Sequence, residues 1–191
     1  MVRKREEKTT KRRKRLSIDK DVEVIIANNT YGKFVYASRM GDLSLGFEGH
    51  GDDEVVTFGE LRKLKPFLQN MELIITEVND DEVTIADVVN GLHIRKVYDD
   101  YFELVADVDD PKDVDQIDPY ELEDVIEDGN VRDFEDLLRS SLRRSVILTA
   151  VAMYKEGRLS DRRKLKLIEE TRPGDEHEQE YFWNDIEASL V

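Results

Sequence analysis

The pattern of apolar and polar positions along the chain changes near residue 80. Before that point, apolar side chains alternate with other residues in short runs, first at Val22, Val24 and Ile26 and then at Phe34 and Tyr36. Alternation of this kind is typical of β-strands with one buried face. The segment ANNTYGK lies between the two runs and is rich in turn-forming residues. The sequence therefore predicts that the two runs form a β-hairpin.

Two further strands and one short helix complete the predicted N-terminal half. Apolar residues also alternate at Leu43, Leu45 and Phe47 and at Met71, Leu73 and Ile75. Between these strands, Thr57 and Glu60 have the three-residue spacing of a capping box. This spacing predicts a short helix that Pro66 ends. We expect a small antiparallel sheet or barrel.

Helical periodicity replaces alternation from about residue 82, where apolar residues recur at steps of three and four. Asp118 is a suitable N-cap, Pro119 suits the first helical position, and Glu121 occupies the reciprocal capping position. Gly129 is predicted to end this helix. The longest predicted helix follows, over RDFEDLLRSSLRRSVILTAVAMYKEG, and Gly157 ends it.

The pattern as a whole predicts an α+β protein with an N-terminal antiparallel β-rich domain and an α-helical C-terminal part. A flexible basic arm is predicted over residues 1–19, the β-rich domain with one short helix over 20–80, and the helical region over 81–191. Residues 105–118 are acidic and poor in apolar side chains, which predicts a linker. A last helix begins at Ser160, and the tail beyond Pro173 holds the only tryptophan, Trp183.

Composition narrows the class of protein. The chain of 191 residues has no cysteine, which excludes disulfides, thiolate metal sites and cysteine nucleophiles. Its longest apolar run, from Val146 to Met153, is interrupted by Thr149 and is too short to span a bilayer. The first residues lack the apolar stretch of a signal peptide. We therefore expect neither a membrane segment nor a membrane partner.

Charge is divided unevenly along the chain. Although the formal net charge is −15, residues 1–15 carry +7 and the remainder about −22. The nine basic residues of the arm are Arg3, Lys4, Arg5, Lys8, Lys11, Arg12, Arg13, Lys14 and Arg15. The arm has too few apolar side chains to offset the entropy of ordering, and so it is predicted to be flexible.

The arm is the candidate binding segment. Its nine cations suit either a nucleic-acid backbone or an acidic protein surface. Because no aromatic residue is interleaved with them, binding of nucleic acid would be independent of sequence and weakened by salt. The acidic remainder opposes nucleic acid, and it could instead capture the arm, on the same chain or on a neighbouring copy.

The search for catalytic or metal-binding motifs finds no specific signal. His50, Asp52, Asp53 and Glu54 offer metal-ligand atoms, but a glycine-punctuated acidic turn between strands is the favoured interpretation. Residues 103–128 contain twelve carboxylates and one lysine, and their spacing fails the pattern of an EF-hand. No phosphate-binding loop or nucleophile elbow occurs. We expect a protein that is not an enzyme and has no cofactor, metal or small-molecule substrate.

One resemblance rests on the order of turns and caps. VEVIIANNTYGKFVYASRMGDLSLGFEGHGDDEVVTFGELRKLKPFL is followed by MELIITEV and, after helices, by EGRLSDRRKLKLIEET. This arrangement resembles small proteins encoded by tailed bacteriophages, over about residues 20–172. The arm and the Trp183 tail lie outside the resemblance.

The resemblance implies a structural or assembly protein of the virion, present in many copies and made in the host cytoplasm. On this hypothesis the basic arm binds other virion proteins, or packaged DNA. The alternative is a nucleic-acid-associated regulator, such as a transcription accessory protein, that binds phosphate through the arm. A third hypothesis, an acidic mimic of nucleic acid, would use residues 103–128, but their carboxylates lack the regular spacing of a phosphate ladder.

Overall fold

The computed structural model describes residues 18–171 and 182–189. Antiparallel sheets occupy the N-terminal half and helices follow, which confirms the predicted α+β class. The strands are Glu23–Asn28 (β1), Phe34–Ala37 (β2), Ser44–Phe47 (β3), Asp53–Thr57 (β4) and Leu73–Val78 (β5). The α-helices are Phe58–Leu61 (α1), Lys65–Gln69 (α2), Ile85–Leu92 (α3), Arg95–Leu104 (α4), Glu121–Asp128 (α5), Val131–Arg139 (α6), Arg143–Lys155 (α7), Arg162–Thr171 (α8) and Phe182–Ala188 (α9).

The predicted hairpin of the first two strands is wrong. β1 is the central strand of a three-stranded antiparallel sheet in the order β4-β1-β5, whereas β2 pairs with β3 in a separate two-stranded sheet. The loop after β1 does not close a hairpin because the side chain of Asn28 is fully buried and donates to the carbonyls of Gly32 and Gly49, both at 2.8 Å. These bonds tie the loop to the β3–β4 connection instead.

Strand β4 is absent from the sequence-based prediction because its acidic start resembles part of a turn. Asp53 and Glu54 are exposed on the edge of the sheet, and only Val56 in this strand is buried. A single buried residue gives no visible alternation. Its pairing, with Ile25 opposite Val55, depends on contacts about thirty residues away in the chain.

The capping box of Thr57 and Glu60 is present and begins α1 as predicted. Pro66, however, does not end that helix. It lies in the first turn of α2, where its missing N–H leaves no hydrogen bond unmade. The N-terminal half therefore contains two short helices instead of one.

The acidic segment at 105–118 is packed against the sheet. Val114 and Ile117 are buried, and the Ile117 N–H donates to the Thr76 carbonyl at 2.9 Å. Gln116 forms a β-bridge with Glu77 of β5, and a single turn of 3-10 helix spans Pro111–Asp113. Its few apolar residues are thus sufficient to attach the segment to the open edge of β5.

The predicted caps of α5 were only partly right. Tyr120 is the N-cap, and its backbone N–H donates to the carboxylate of Asp118, two residues earlier. Glu121 does not form a capping bond and accepts instead from the Tyr101 hydroxyl at 3.1 Å. The end of this helix at Gly129 is confirmed, and Asn130 is the N-cap of α6.

The longest predicted helix is two helices. α6 ends and α7 begins across Ser140 and Ser141, whose hydroxyls compete with the helical backbone. The Ser140 hydroxyl donates to the Leu137 carbonyl, while Ser141 bonds to the Asp100 carboxylate on α4. Gly157, with a φ of +77°, follows the C-terminus of α7 as predicted.

One hydrophobic cluster includes buried residues from both halves of the chain. The buried Tyr98 of α4 accepts from the Ile75 N–H of β5 at 2.9 Å, which joins the sheet to the helices. Trp183 of α9 is 6 % exposed and donates to the Leu165 carbonyl of α8. None of the helices described is both long and apolar enough to cross a membrane.

Candidate interaction site

The nine basic residues predicted to bind a partner all lie outside the described residues, so their role stays a prediction. The described residues themselves carry 38 acidic and 19 basic side chains, a formal charge of −19. An arm with nine cations is therefore joined to a strongly acidic body. The structure shows where the body's carboxylates are gathered.

Two adjoining concavities form an acidic surface beside β5. Their volumes are about 530 and 550 Å³, and they share Glu77 and Gln116. We call this surface the acidic trough and define it by the seven carboxylates that line it: Asp53, Glu77, Asp80, Asp81, Asp115, Asp118 and Glu121. The described lining of the trough includes neither lysine nor arginine.

The trough is a product of the sheet topology. Its floor is formed by Ile25 and Ala27 of β1 and Thr76 of β5. Asp53, at the start of β4, lies on one side, and the segment attached to β5 by Ile117 forms the other. Carboxylates from three separate parts of the sequence are brought together in this way.

No ion pair within the described part of the chain neutralises the seven carboxylates of the trough. Burial raises the pKa of Glu121 above its ordinary value, and the nearby negative charges of Asp118 and Asp124 raise it further, although the Tyr101 hydrogen bond opposes the shift. Burial is the largest cause of this shift, and only the contribution of Asp118 and Asp124 reflects the negative potential of the trough. A cationic group would therefore be bound favourably here.

A second polar cluster lies at the junction of the sheets and helices. The imidazole of His50 stacks on the Tyr31 ring, with centroids 4.6 Å apart, and meets the Tyr120 ring edge-on at 4.9 Å. Beside it, the Glu123 carboxylate accepts from the Tyr31 hydroxyl at 2.7 Å and pairs with the Arg158 guanidinium. We call these five residues the His50 cluster.

Burial controls the protonation states in the His50 cluster. It lowers the pKa of His50, an effect that the Glu123 charge only partly opposes. Burial alone would raise the pKa of Glu123, but the hydrogen bonds from Arg158 and Tyr31 outweigh it, and the pKa is lowered. Neutral imidazole and ionised carboxylate are therefore favoured side by side.

The geometry of the cluster supports a structural role. The side chains of His50 and Glu123 are only 9 % and 7 % exposed, and 3.7 Å separates His50 Nε2 from Glu123 Oε1, beyond hydrogen-bond distance. Neither imidazole nitrogen has a hydrogen bond. Among the residues described, no group of three or more histidine, aspartate or glutamate side chains is placed to hold a metal ion. The metal-site hypothesis for His50 and its acidic neighbours thus gains no support.

The sequence indicates His50 as a candidate metal ligand but does not indicate that Tyr31, Glu123 and Arg158 lie beside it. Together with His50, these residues lie on three loops and one helix, and Tyr31 and Arg158 are 127 positions apart. No local spacing could have connected them. The trough was missed for the same reason, although the acidic segment that forms one side of it was recognised.

Comparison with known proteins adds no assignment: no family model, curated protein or solved structure matches the chain. The resemblance to tailed-bacteriophage proteins therefore stays a prediction from the sequence.

Proposed function

We propose that this protein is a structural or assembly protein of a tailed bacteriophage particle, present in many copies, and that it is not an enzyme. In this proposal residues 3–15 bind acidic surfaces of neighbouring virion proteins, and packaged DNA is a secondary partner. The protein would be found in the virion and, during assembly, in the host cytoplasm. The resemblance of the sequence to proteins of tailed bacteriophages, over about residues 20–172, supports this proposal.

The observation that carries the proposal is the division of charge between the arm and the body. Nine cations lie within fifteen residues, next to a body of charge −19. A segment with many cations and few apolar side chains is expected to order only on binding, and such a segment can join many copies of one protein into a lattice.

Protein is favoured over DNA as the first partner because of the body. Cations bind DNA by releasing counterions from phosphates, but a body of charge −19 repels the same phosphates at close approach. An acidic patch on a protein is small, so it can contact the arm without bringing further negative charge close to the body. Contacts to DNA would form where a lattice of subunits already holds the arms close to the packaged genome.

Deletion of residues 1–15 tests the proposal. The truncated protein and the full chain are each produced with the remaining particle proteins, and incorporation into particles is measured by sedimentation and mass spectrometry. We expect the truncated protein to fold, because its described body is unchanged, and to be lost from particles. A variant with the same arm composition in scrambled order should be incorporated, since charge and not sequence is the proposed determinant.

DNA binding by the isolated proteins provides the opposing outcome. Titration of duplex DNA across a range of salt concentrations measures the number of phosphate contacts. Salt-dependent binding near physiological ionic strength, lost in the truncated protein while incorporation into particles is unchanged, would overturn the proposal in favour of a nucleic-acid-associated regulator.

A further inference from the structure

We propose that the acidic trough is the docking surface for residues 3–15 of the same chain. This inference rests on the proposed role of the arm as a protein-binding segment and specifies its resting partner. The arm would lie along the side of β5 between assembly events. Three properties of the molecule lead to this conclusion.

The first property is charge complementarity. The trough presents seven carboxylates with no basic side chain among its described lining residues, and the arm presents nine cations and two carboxylates. The net charge of +7 on residues 1–15 equals the number of carboxylates in the trough. Docking of the arm would neutralise carboxylates that form no ion pair within the described body.

The second property is the position where the arm leaves the body. Ile18 packs beside Phe58 and the C-terminal end of α3, since a Cβ added at Gly91 would lie 3.0 Å from both side chains. The N-terminal end of the same helix, at Thr84 and Ile85, lines the trough. A helix of eight residues is about 12 Å long, so the arm leaves the body within about this distance of one end of the trough.

The third property is reach. Fifteen residues of extended chain span about 50 Å, which exceeds the length of α3 several-fold. Because the arm is tethered, its local concentration at the trough is of the order of millimolar. Intramolecular docking therefore precedes docking on a second copy until subunits are concentrated in a lattice. Docking would also keep the cations from nucleic acid until a neighbouring acidic surface replaces the trough.

Paramagnetic relaxation in solution tests the inference. The chain has no cysteine, so Thr9→Cys provides a single attachment point for a nitroxide in the arm. In isotope-labelled protein, we expect broadening of the backbone amide signals of Glu77, Asp81 and Gln116. Raising sodium chloride from about 50 mM to about 500 mM should abolish the broadening, because the Debye length falls to a few ångströms.

A second sample distinguishes the same chain from a neighbouring copy. Spin-labelled protein without isotope is mixed with isotope-labelled protein that lacks the cysteine, so that broadening reports only contacts between molecules. We expect no broadening in dilute mixtures. Broadening that occurs in the mixture and not within one molecule would overturn the inference and assign the trough to a second copy.

Two matched variants locate the docking surface. Asp53→Asn, Asp81→Asn and Asp115→Asn together remove three exposed charges from the trough, and we expect them to abolish the broadening. Glu103→Gln, Asp128→Asn and Asp136→Asn remove three exposed charges that do not line it, and the broadening should persist. Equal broadening in the trough variant and the control variant would mean that the arm does not dock on the trough, and it would overturn the inference. Arm-dependent incorporation into particles without any broadening would refute this inference and leave the proposed function intact.

Discussion

At the scale of single residues, the His50 cluster couples protonation to folding. The imidazole lies between two tyrosine rings with neither nitrogen hydrogen-bonded, and its pKa is lowered by burial. A proton therefore binds more readily to the unfolded chain than to the folded protein. Stability contributed by this residue is present above the ordinary histidine pKa and is lost as the pH falls below it.

Replacement of His50 by phenylalanine should reduce this pH dependence. An aromatic ring is retained for the two tyrosines, while the group that titrates is removed. Between about pH 7.5 and pH 5.5, we expect the free energy of unfolding of the natural protein to fall by up to about 1.4 kcal/mol more than that of His50→Phe. Urea unfolding at the two pH values measures the difference. An equal loss of unfolding free energy in the natural protein and in His50→Phe would contradict the explanation.

Arg158 keeps the buried charge of Glu123 compensated. Arg158→Met should cost about 2 kcal/mol of stability, less than is typical of a fully buried pair because the Arg158 side chain is 35 % exposed. Adding Glu123→Gln should recover part of the loss, since the uncompensated charge is then removed. The double-mutant cycle is measured by chemical denaturation.

An exposed pair provides the control for this cycle. Arg139 lies 2.5 Å from Glu135 on α6, and its side chain is 68 % exposed. Arg139→Met should therefore cost no more than about 0.5 kcal/mol. A cost for Arg158→Met as small as this would show that the buried charge is compensated without the guanidinium.

At the scale of elements, local signals were predictable and partnerships between elements were not. The capping box of Thr57 and the glycine stop after α7 depend on neighbours within a few residues, and both were found from the sequence. The pairing of β1 depends on strands that begin 30 and 50 residues later. The break between α6 and α7 depends partly on the bonds from Ser141 to Asp100 of α4. Periodicity contains no information about these bonds, and it therefore predicted one continuous helix.

In the connection between β3 and β4, substitution of one glycine, Gly51, should destabilise the protein. Gly51 has a φ of +81°, and a Cβ there would lie 2.4 Å from the Tyr120 hydroxyl, which donates to the His50 carbonyl. Gly41 has a similar φ of +72° with nothing within 4 Å. Gly41→Ala should cost about 1 kcal/mol from backbone strain alone, and Gly51→Ala clearly more.

Thermal unfolding of the two alanine variants makes the comparison. In the Tyr120→Ala background, Gly51→Ala should cost only about 1 kcal/mol of backbone strain, as at Gly41, because the clash is then absent. Equal destabilisation by the two glycine substitutions would mean that the loop moves away from Tyr120 at little cost.

At the scale of the whole molecule, charge segregation was predictable but its geometry was not. The basic arm is contiguous in sequence and needs no fold to be recognised. The trough combines residues near positions 53, 80 and 118, which only the pairing of β5 with β1 and with the following segment brings together. Composition thus indicated an acidic body without indicating where a cation would bind.

Self-repulsion of this acidic body should make its stability depend on salt. Removal of residues 1–15 should lower the free energy of unfolding at about 20 mM salt by about 1 kcal/mol, because the compensating cations are lost. At about 300 mM salt the truncated and full chains should be equally stable, because salt then screens the repulsion among the carboxylates of the body. Urea titrations at both salt concentrations measure the effect, and equal stability at low salt would contradict it.

The central position of β1 also has a consequence for synthesis on the ribosome. This strand is synthesised before both of its partners, which begin at residues 53 and 73. During that interval its apolar residues Val24, Ile26 and Ala27 have no sheet to enter and are open to association with other nascent chains. The cluster of positive charges immediately before the strand acts against such association. The arm would thus protect the growing chain before it binds any partner.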